Sequence, residues 1–194
     1  MALTEFGKSW HSDDFEIRAE KIRLIVMDVD GVLSDGIIAV NDQGQEHKNF
    51  HVRDGSAIVG WLRTGYQAAI LSGRSAKCVD IRAKELGIPI VLQGNPRKIS
   101  GLHHILHQTG YSLAETCFIG DDLPDLPLFG MVGLAASPAD AVEEIQQRSH
   151  FISRYAGGRG AVNDLIRNLM KVQNRWQEHM DWYFERETVT KTAG

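Results

Sequence analysis

Cysteine is scarce in this chain: Cys78 and Cys117 are the only two. They fall in a predicted helix and a predicted strand, which argues against a disulfide framework and for free thiols in a reducing cytoplasm. No apolar stretch is long enough to span a bilayer. The opening segment, Met1 to Lys21, is polar and acidic, unlike a signal peptide. No long run of either charge sign occurs, and the formal net charge is −4. That balance disfavours nucleic acid or an anionic membrane as the main partner. Internal repeats and low-complexity segments are missing as well. What remains is one globular domain over residues 1–194, with 43% hydrophobic and 24% charged residues.

Short apolar runs with strand character recur at Ile22–Met27, Gln67–Leu71, Ile88–Leu92, Thr116–Ile119, Val132–Ala135 and His150–Ile152. Helical patterns lie between them at Ser56–Thr64, Ala76–Leu86, Arg97–Gln108, Leu123–Phe129 and Ala139–Gln147. The alternation predicts an α/β fold, a doubly wound parallel sheet covered on both faces. Pro89 demotes its strand towards an edge. Residues 36–50 break the alternation and read as a β-hairpin around Asn41-Asp42-Gln43-Gly44, too small to be a cap domain. Residues 161–187 read as one long helix, with Val162, Leu165, Leu169, Val172, Trp176, Met180 and Tyr183 at helical spacing. Residues 188–194 read as a frayed tail.

Asp28 and Asp30 follow the first run and are halted at once by Gly31. Two carboxylates at the tip of a buried strand repel each other and resist desolvation. A divalent metal and a phosphoryl group would resolve the conflict; a solvated acidic turn is the plainer alternative. Three further segments supply polar groups after predicted strands or at a helix start: Ser72-Gly73-Arg74, Lys98, and Gly120-Asp121-Asp122-Leu123-Pro124-Asp125. In open α/β sheets, sites form at the carboxyl ends of the strands. Taken singly, Ser72 is a helix cap, Lys98 a surface lysine, and Asp122 and Asp125 first-turn acids.

In this order the four segments resemble the haloacid dehalogenase superfamily of phosphotransferases, over roughly Ile22 to Val162. The resemblance implies a Rossmann-like, HAD-like domain. Asp28 would be the nucleophile forming an aspartyl-phosphate, and Asp30 the general acid and base. Ser72, Gly73 and Lys98 would hold the transferring oxygens. Mg²⁺ would be bound by Asp28, the Asp30 backbone carbonyl and Asp121, with Asp122 and Asp125 in support.

Asp28-Val-Asp-Gly-Val-Leu-Ser-Asp-Gly36, Val52-Arg53-Asp54-Gly55, Ser72-Gly-Arg74, Gln93-Gly94, Gly120-Asp-Asp-Leu123 and Ala156-Gly-Gly-Arg-Gly-Ala161 are similar to the 3-deoxy-D-manno-octulosonate 8-phosphate (KDO 8-phosphate) phosphatase family. That likeness implies a cytoplasmic homotetramer assembled through the hairpin and a phosphorylated sugar-acid substrate. His51, Val52, Arg53, Asp54, Gly55, Gly73, Arg74, Arg82, Lys98 and Arg159 would join Asp30 around that substrate, with guanidinium groups facing carboxylate and phosphate. His51 stands where the family commonly has Asn, and Val59 where it often has a basic residue. A nonulosonate 9-phosphate is the alternative substrate. A phospho-receiver or binding module is the alternative outside catalysis, disfavoured by Asp30.

Overall fold

The apolar run that ends at Asp28 forms an interior strand of a seven-stranded sheet. The computed structural model describes residues 9–191, with side chains as far as Glu185. Its strands, in chain order, are β1 (Trp10–His11), β2 (Leu24–Met27), β3 (Ala39–Val40), β4 (Glu46–His47), β5 (Gln67–Leu71), β6 (Ile90–Leu92), β7 (Thr116–Ile119), β8 (Leu134–Ser137) and β9 (Phe151–Ile152). The large sheet runs β1-β9-β8-β7-β2-β5-β6, and β3 pairs with β4 alone as the hairpin. Every neighbour in the large sheet is parallel except β1, which is antiparallel to β9. β6 follows Pro89 and lies at the sheet edge, as expected.

The helices are α1 (Phe15–Ala19), α2 (Val52–Arg63), α3 (Lys77–Leu86), α4 (Lys98–Thr109), α5 (Leu126–Phe129), α6 (Glu143–Gln146), α7 (Ala161–Val172) and α8 (Trp176–Lys191). Strand periodicity divides the core into two layers. Ile25, Met27, Ile70 and Ile119 face one side and meet α1, α2, α3 and α7 through Phe15, Ile58, Trp61, Val79 and Leu165. Leu24, Val26, Leu71 and Phe118 face the other and meet α4 and α5 through Leu102, Ile105 and Leu128. Both faces are buried, which is why these runs are apolar throughout rather than alternating. The chain winds outward from β2 to β5 and β6, then returns through α4 to β7 on the other side of β2. The order therefore reverses at β2, and the crevice there opens at its carboxyl end. Between β2 and β5 stand only a turn, the hairpin and α2, so no cap domain covers the crevice.

Several boundaries differ from expectation, three of them beside a tertiary hydrogen bond. The helix expected over 161–187 is two helices. Between α7 and α8, Asn174 adopts φ 58°. The Gln173 amide donates to the carbonyls of Ala19 (2.8 Å) and Ile22 (2.9 Å), and Arg175 donates to Thr64 (3.0 Å), holding the break. α8 continues to Lys191, into the stretch read as a tail; residues 192–194 lie outside the described residues. α2 begins at Val52, four residues before the expected Ser56, so Arg53-Asp54-Gly55 occupy its first turn. α6 is shorter than Ala139–Gln147; the Val142 amide ahead of it donates to the Asp121 carbonyl (3.0 Å). β8 starts two residues late, because the Gly133 amide donates to Leu113 (2.7 Å) outside the sheet. Among the described residues, no helix is long and apolar enough to cross a membrane.

Candidate active site

β2, β5 and β7 end side by side, and each ends in a polar group. Asp28 continues β2 in extended conformation, its amide still donating to Ile119 (3.1 Å). Beyond it the chain makes a wide turn, closed by the Ser34 amide on the Val29 carbonyl (2.9 Å). Gly31 in that turn has φ 87°, and a Cβ there would overlap the Asp121 carboxylate. Only a residue without a side chain lets the turn lie against Asp121. Gly157, from the loop before α7, packs equally closely on the Gly31 carbonyl, and the Gly158 amide donates to Val32 (2.9 Å). The glycine-rich loop thus braces the turn that carries Asp30.

Asp28, Asp30, Ser72, Gly73, Arg74, Lys98, Asp121, Asp122 and Asp125 line one cleft of about 300 Å³. Asp28, Asp121 and Asp125 each bring a carboxylate oxygen within 4.8 Å of the others. Lys98, buried at the start of α4, sits between two of them: its ammonium is 3.0 Å from Asp28 Oδ1 and also contacts Asp125. Asp125 Oδ2 accepts from the amides of Asp121 (3.0 Å) and Asp122 (3.4 Å), which folds the acidic loop onto Lys98. Asp122 is exposed and accepts from the Leu123 amide (2.8 Å) as a helix cap. The Ser72 hydroxyl caps nothing downstream, since α3 starts at Lys77; it accepts from the Arg74 amide (3.2 Å) at the cleft wall.

Burial, then the charge of Asp125, raises the Asp28 carboxyl to about 6, with Lys98 opposing. Burial, then the charges of Asp28 and Asp125, raises Asp121 to about 8. Asp121 Oδ1 is buried with no hydrogen-bond partner. An orphaned carboxylate oxygen beside a second crowded acid is costly unless a cation is added. All donors are oxygens, which fits a hard divalent ion such as Mg²⁺.

Glu46 and Lys48 of the hairpin segment contact two residues of that cleft, Asp30 and Arg74, and were not anticipated. Lys48 contacts Asp30 and lies 3.1 Å from Glu46; Arg74 is 3.0 Å from Glu46 and 3.7 Å from Asp30. Their period-two spacing, which puts both on one side of an extended segment, is the only sequence signal for the pair.

The remaining expected residues lie elsewhere within this chain. His51, Asp54, Gly55 and Arg82 line a separate, mainly apolar cavity with Phe50 and Ile58. Asp54 is 2% exposed. Its carboxylate accepts from the amides of Gly160 (3.2 Å) and Asn163 (2.7 Å), tying α2 to α7. Arg82 lies over Gly55 and pairs with Glu85 at 2.8 Å. Val52 is 80% exposed and Arg53 is exposed. Arg159 is largely exposed and faces Asp35 at 3.6 Å.

Residues 90–166 match the haloacid dehalogenase-like hydrolase family. The chain is 40% identical over 167 residues to the 3-deoxy-D-manno-octulosonate 8-phosphate phosphatase of Escherichia coli, covering 86% of this chain and 89% of that one. It superposes with a TM-score of 0.86 on the Moraxella catarrhalis phosphatase of that name, solved with magnesium, phosphate and KDO, at 37% identity over 89% of this chain and 99% of that one. A cobalt-bound deoxy-D-mannose-octulosonate 8-phosphate phosphatase from Haemophilus influenzae gives a TM-score of 0.80 at 32% identity, over 82% of this chain and 93% of that one. With the acid cluster at the switch point and this likeness along most of its length, the chain belongs to the 3-deoxy-D-manno-octulosonate 8-phosphate phosphatase family of haloacid dehalogenase-like hydrolases.

Proposed function

We propose that this protein hydrolyses 3-deoxy-D-manno-octulosonate 8-phosphate to KDO and phosphate through an aspartyl-phosphate on Asp28, with Mg²⁺ as cofactor. The observation that carries the reading is the cluster at the strand tips. Asp28, Lys98 and the unpartnered Asp121 share one open cleft with Asp30. A phosphate monoester is very slow to hydrolyse unaided, so the site must stabilise its transition state strongly. An Asp28 oxygen attacks phosphorus as the bond to the sugar oxygen breaks, and Asp30 passes a proton to the departing alkoxide. Asp30 then takes a proton from water, which attacks the acyl phosphate, frees phosphate and restores Asp28. The Ser72 hydroxyl, the Gly73 amide and the Lys98 ammonium hold the equatorial oxygens throughout. Mg²⁺, held by Asp28, Asp121 and the Asp30 carbonyl, would offset the charge of phosphate facing carboxylates.

The test is phosphate release from KDO 8-phosphate, nonulosonate 9-phosphates and hexose phosphates. KDO 8-phosphate is expected to give the highest kcat/KM. Asp28→Asn is expected to lower turnover by at least about 1,000-fold with the fold intact; turnover retained in that variant refutes the covalent step.

We further propose a homotetramer built through the hairpin, working in the cytoplasm. Ile37, Ile38 and Val40 are 61%, 52% and 58% exposed on the hairpin segment, an apolar edge that a second copy would cover. A two-stranded ribbon of this length is marginal alone, which supports such a partner. Arg53, Arg82 and Arg159, outside the cleft in one chain, are assigned to the part of the site shared between subunits. Ile38→Glu is expected to dissociate the assembly in sedimentation velocity; an active, dilution-stable monomer contradicts the shared site.

A further inference from the structure

Four charges close a ring beside the nucleophile. Lys48 contacts Asp30 Oδ1, Lys48 lies 3.1 Å from Glu46 Oε1, Glu46 lies 3.0 Å from Arg74 Nη2, and Arg74 Nε lies 3.7 Å from Asp30 Oδ2. Three separate chain segments contribute: the turn after β2, the hairpin with its return strand, and the loop after β5. The Lys48 side chain is 1% exposed, whereas that of Arg74 is 50% exposed. Arg74 is therefore open to an incoming anion, while Lys48 is committed to its two acids. A lysine so buried is tolerated only with its charge matched and its hydrogen bonds made. Asp30 has no such enclosure of its own. It sits on a turn, and its Oδ2 is beyond hydrogen-bond distance of Arg74.

We propose that Lys48 is the positioning residue for Asp30. It grips Oδ1, so that Oδ2 is presented to the oxygen leaving phosphorus, and Glu46 holds Lys48 in place. The hairpin then completes the acid–base machinery within its own subunit, besides any role in assembly. This assignment rests on the phosphatase reading. Proton transfer by a placed side chain contributes about 100- to 10,000-fold, and a misplacement of about 1 Å can forfeit about 100-fold.

Lys48→Met and Lys48→Arg test it, with kcat and KM measured on KDO 8-phosphate per folded molecule by circular dichroism. Lys48→Met is expected to lower kcat about 10- to 100-fold with KM within about 2-fold, and Lys48→Arg to recover most of the loss. With p-nitrophenyl phosphate, whose leaving group needs little protonation, the loss in kcat/KM is expected to be under about 3-fold. An unchanged kcat, a rise in KM alone, equal losses on both substrates, or an arginine variant no better than methionine would each overturn the role. A wild-type enzyme inactive on KDO 8-phosphate is a separate failure, visible before any variant is made, and removes the phosphatase reading with it.

Discussion

Asp121 and Asp54 are both acids largely removed from water, and burial raises the carboxyl pKa of each. Their surroundings part from there. Asp54 accepts from two backbone amides and has His51 nearby, so the protein itself meets most of its demand. Asp121 faces Asp28 and Asp125 and keeps one buried oxygen with no partner. The first arrangement joins two helices; the second waits for a cation. Burial alone does not mark a functional acid. An unmet demand in a cleft does, because evolution removes unpaired buried charge unless something uses it.

The largest test of this contrast is Asp121→Asn. It is expected to cut kcat/KM at least about 100-fold and to raise the Mg²⁺ concentration needed for activity, since metal charge stabilisation is worth several kcal/mol. The same variant has a signature without metal. Asp121 is raised from 3.8 to about 8 in the folded protein. Between those values the unfolded chain has lost the proton and the folded chain retains it, so stability falls as pH rises through that window. The Tm of Mg²⁺-free protein is therefore expected to decline from pH 5 to pH 8, and Asp121→Asn is expected to flatten the slope. A wild-type Tm that climbs with pH would mean the cluster is not strained as described.

A smaller effect, opposite in kind, is expected at the other acid. Asp54→Ala strands the amides of Gly160 and Asn163, at about 1–3 kcal/mol for each unsatisfied group. Urea unfolding should show the loss, while Mg²⁺ affinity measured on the folded protein stays close to wild type. If stability holds and Mg²⁺ binding fails instead, the distinction between a tie and a site collapses.

Much of this was legible in the residues. The apolar runs before Asp28, Ser72 and Asp121 announced parallel strands, and the polar groups behind them announced a site. Asp54 shows the limit of such reading. Its place in Val52-Arg53-Asp54-Gly55 marked it for substrate, yet its carboxylate is occupied by α7, more than 100 residues away. Lys48 shows the converse. Nothing local distinguishes it from a surface lysine on a hairpin, and only the return of the chain to the turn after β2 buries it against Asp30. The long final helix failed for a similar reason: its stripe steps from Val172 to Trp176, but the Gln173 side chain between them finds carbonyls at Ala19 and Ile22.

By itself the sequence determined the alternation of strands and helices, and the acids and lysine that follow the buried strands. These follow from short-range periodicity and from where buried strands must end. Tertiary structure alone decided the strand order that reverses at β2, which acids are satisfied and which are left wanting, where α7 gives way to α8, and that the hairpin returns a lysine to Asp30. Those outcomes depend on partners distant along the chain, whose hydrogen bonds and charges local pattern does not encode.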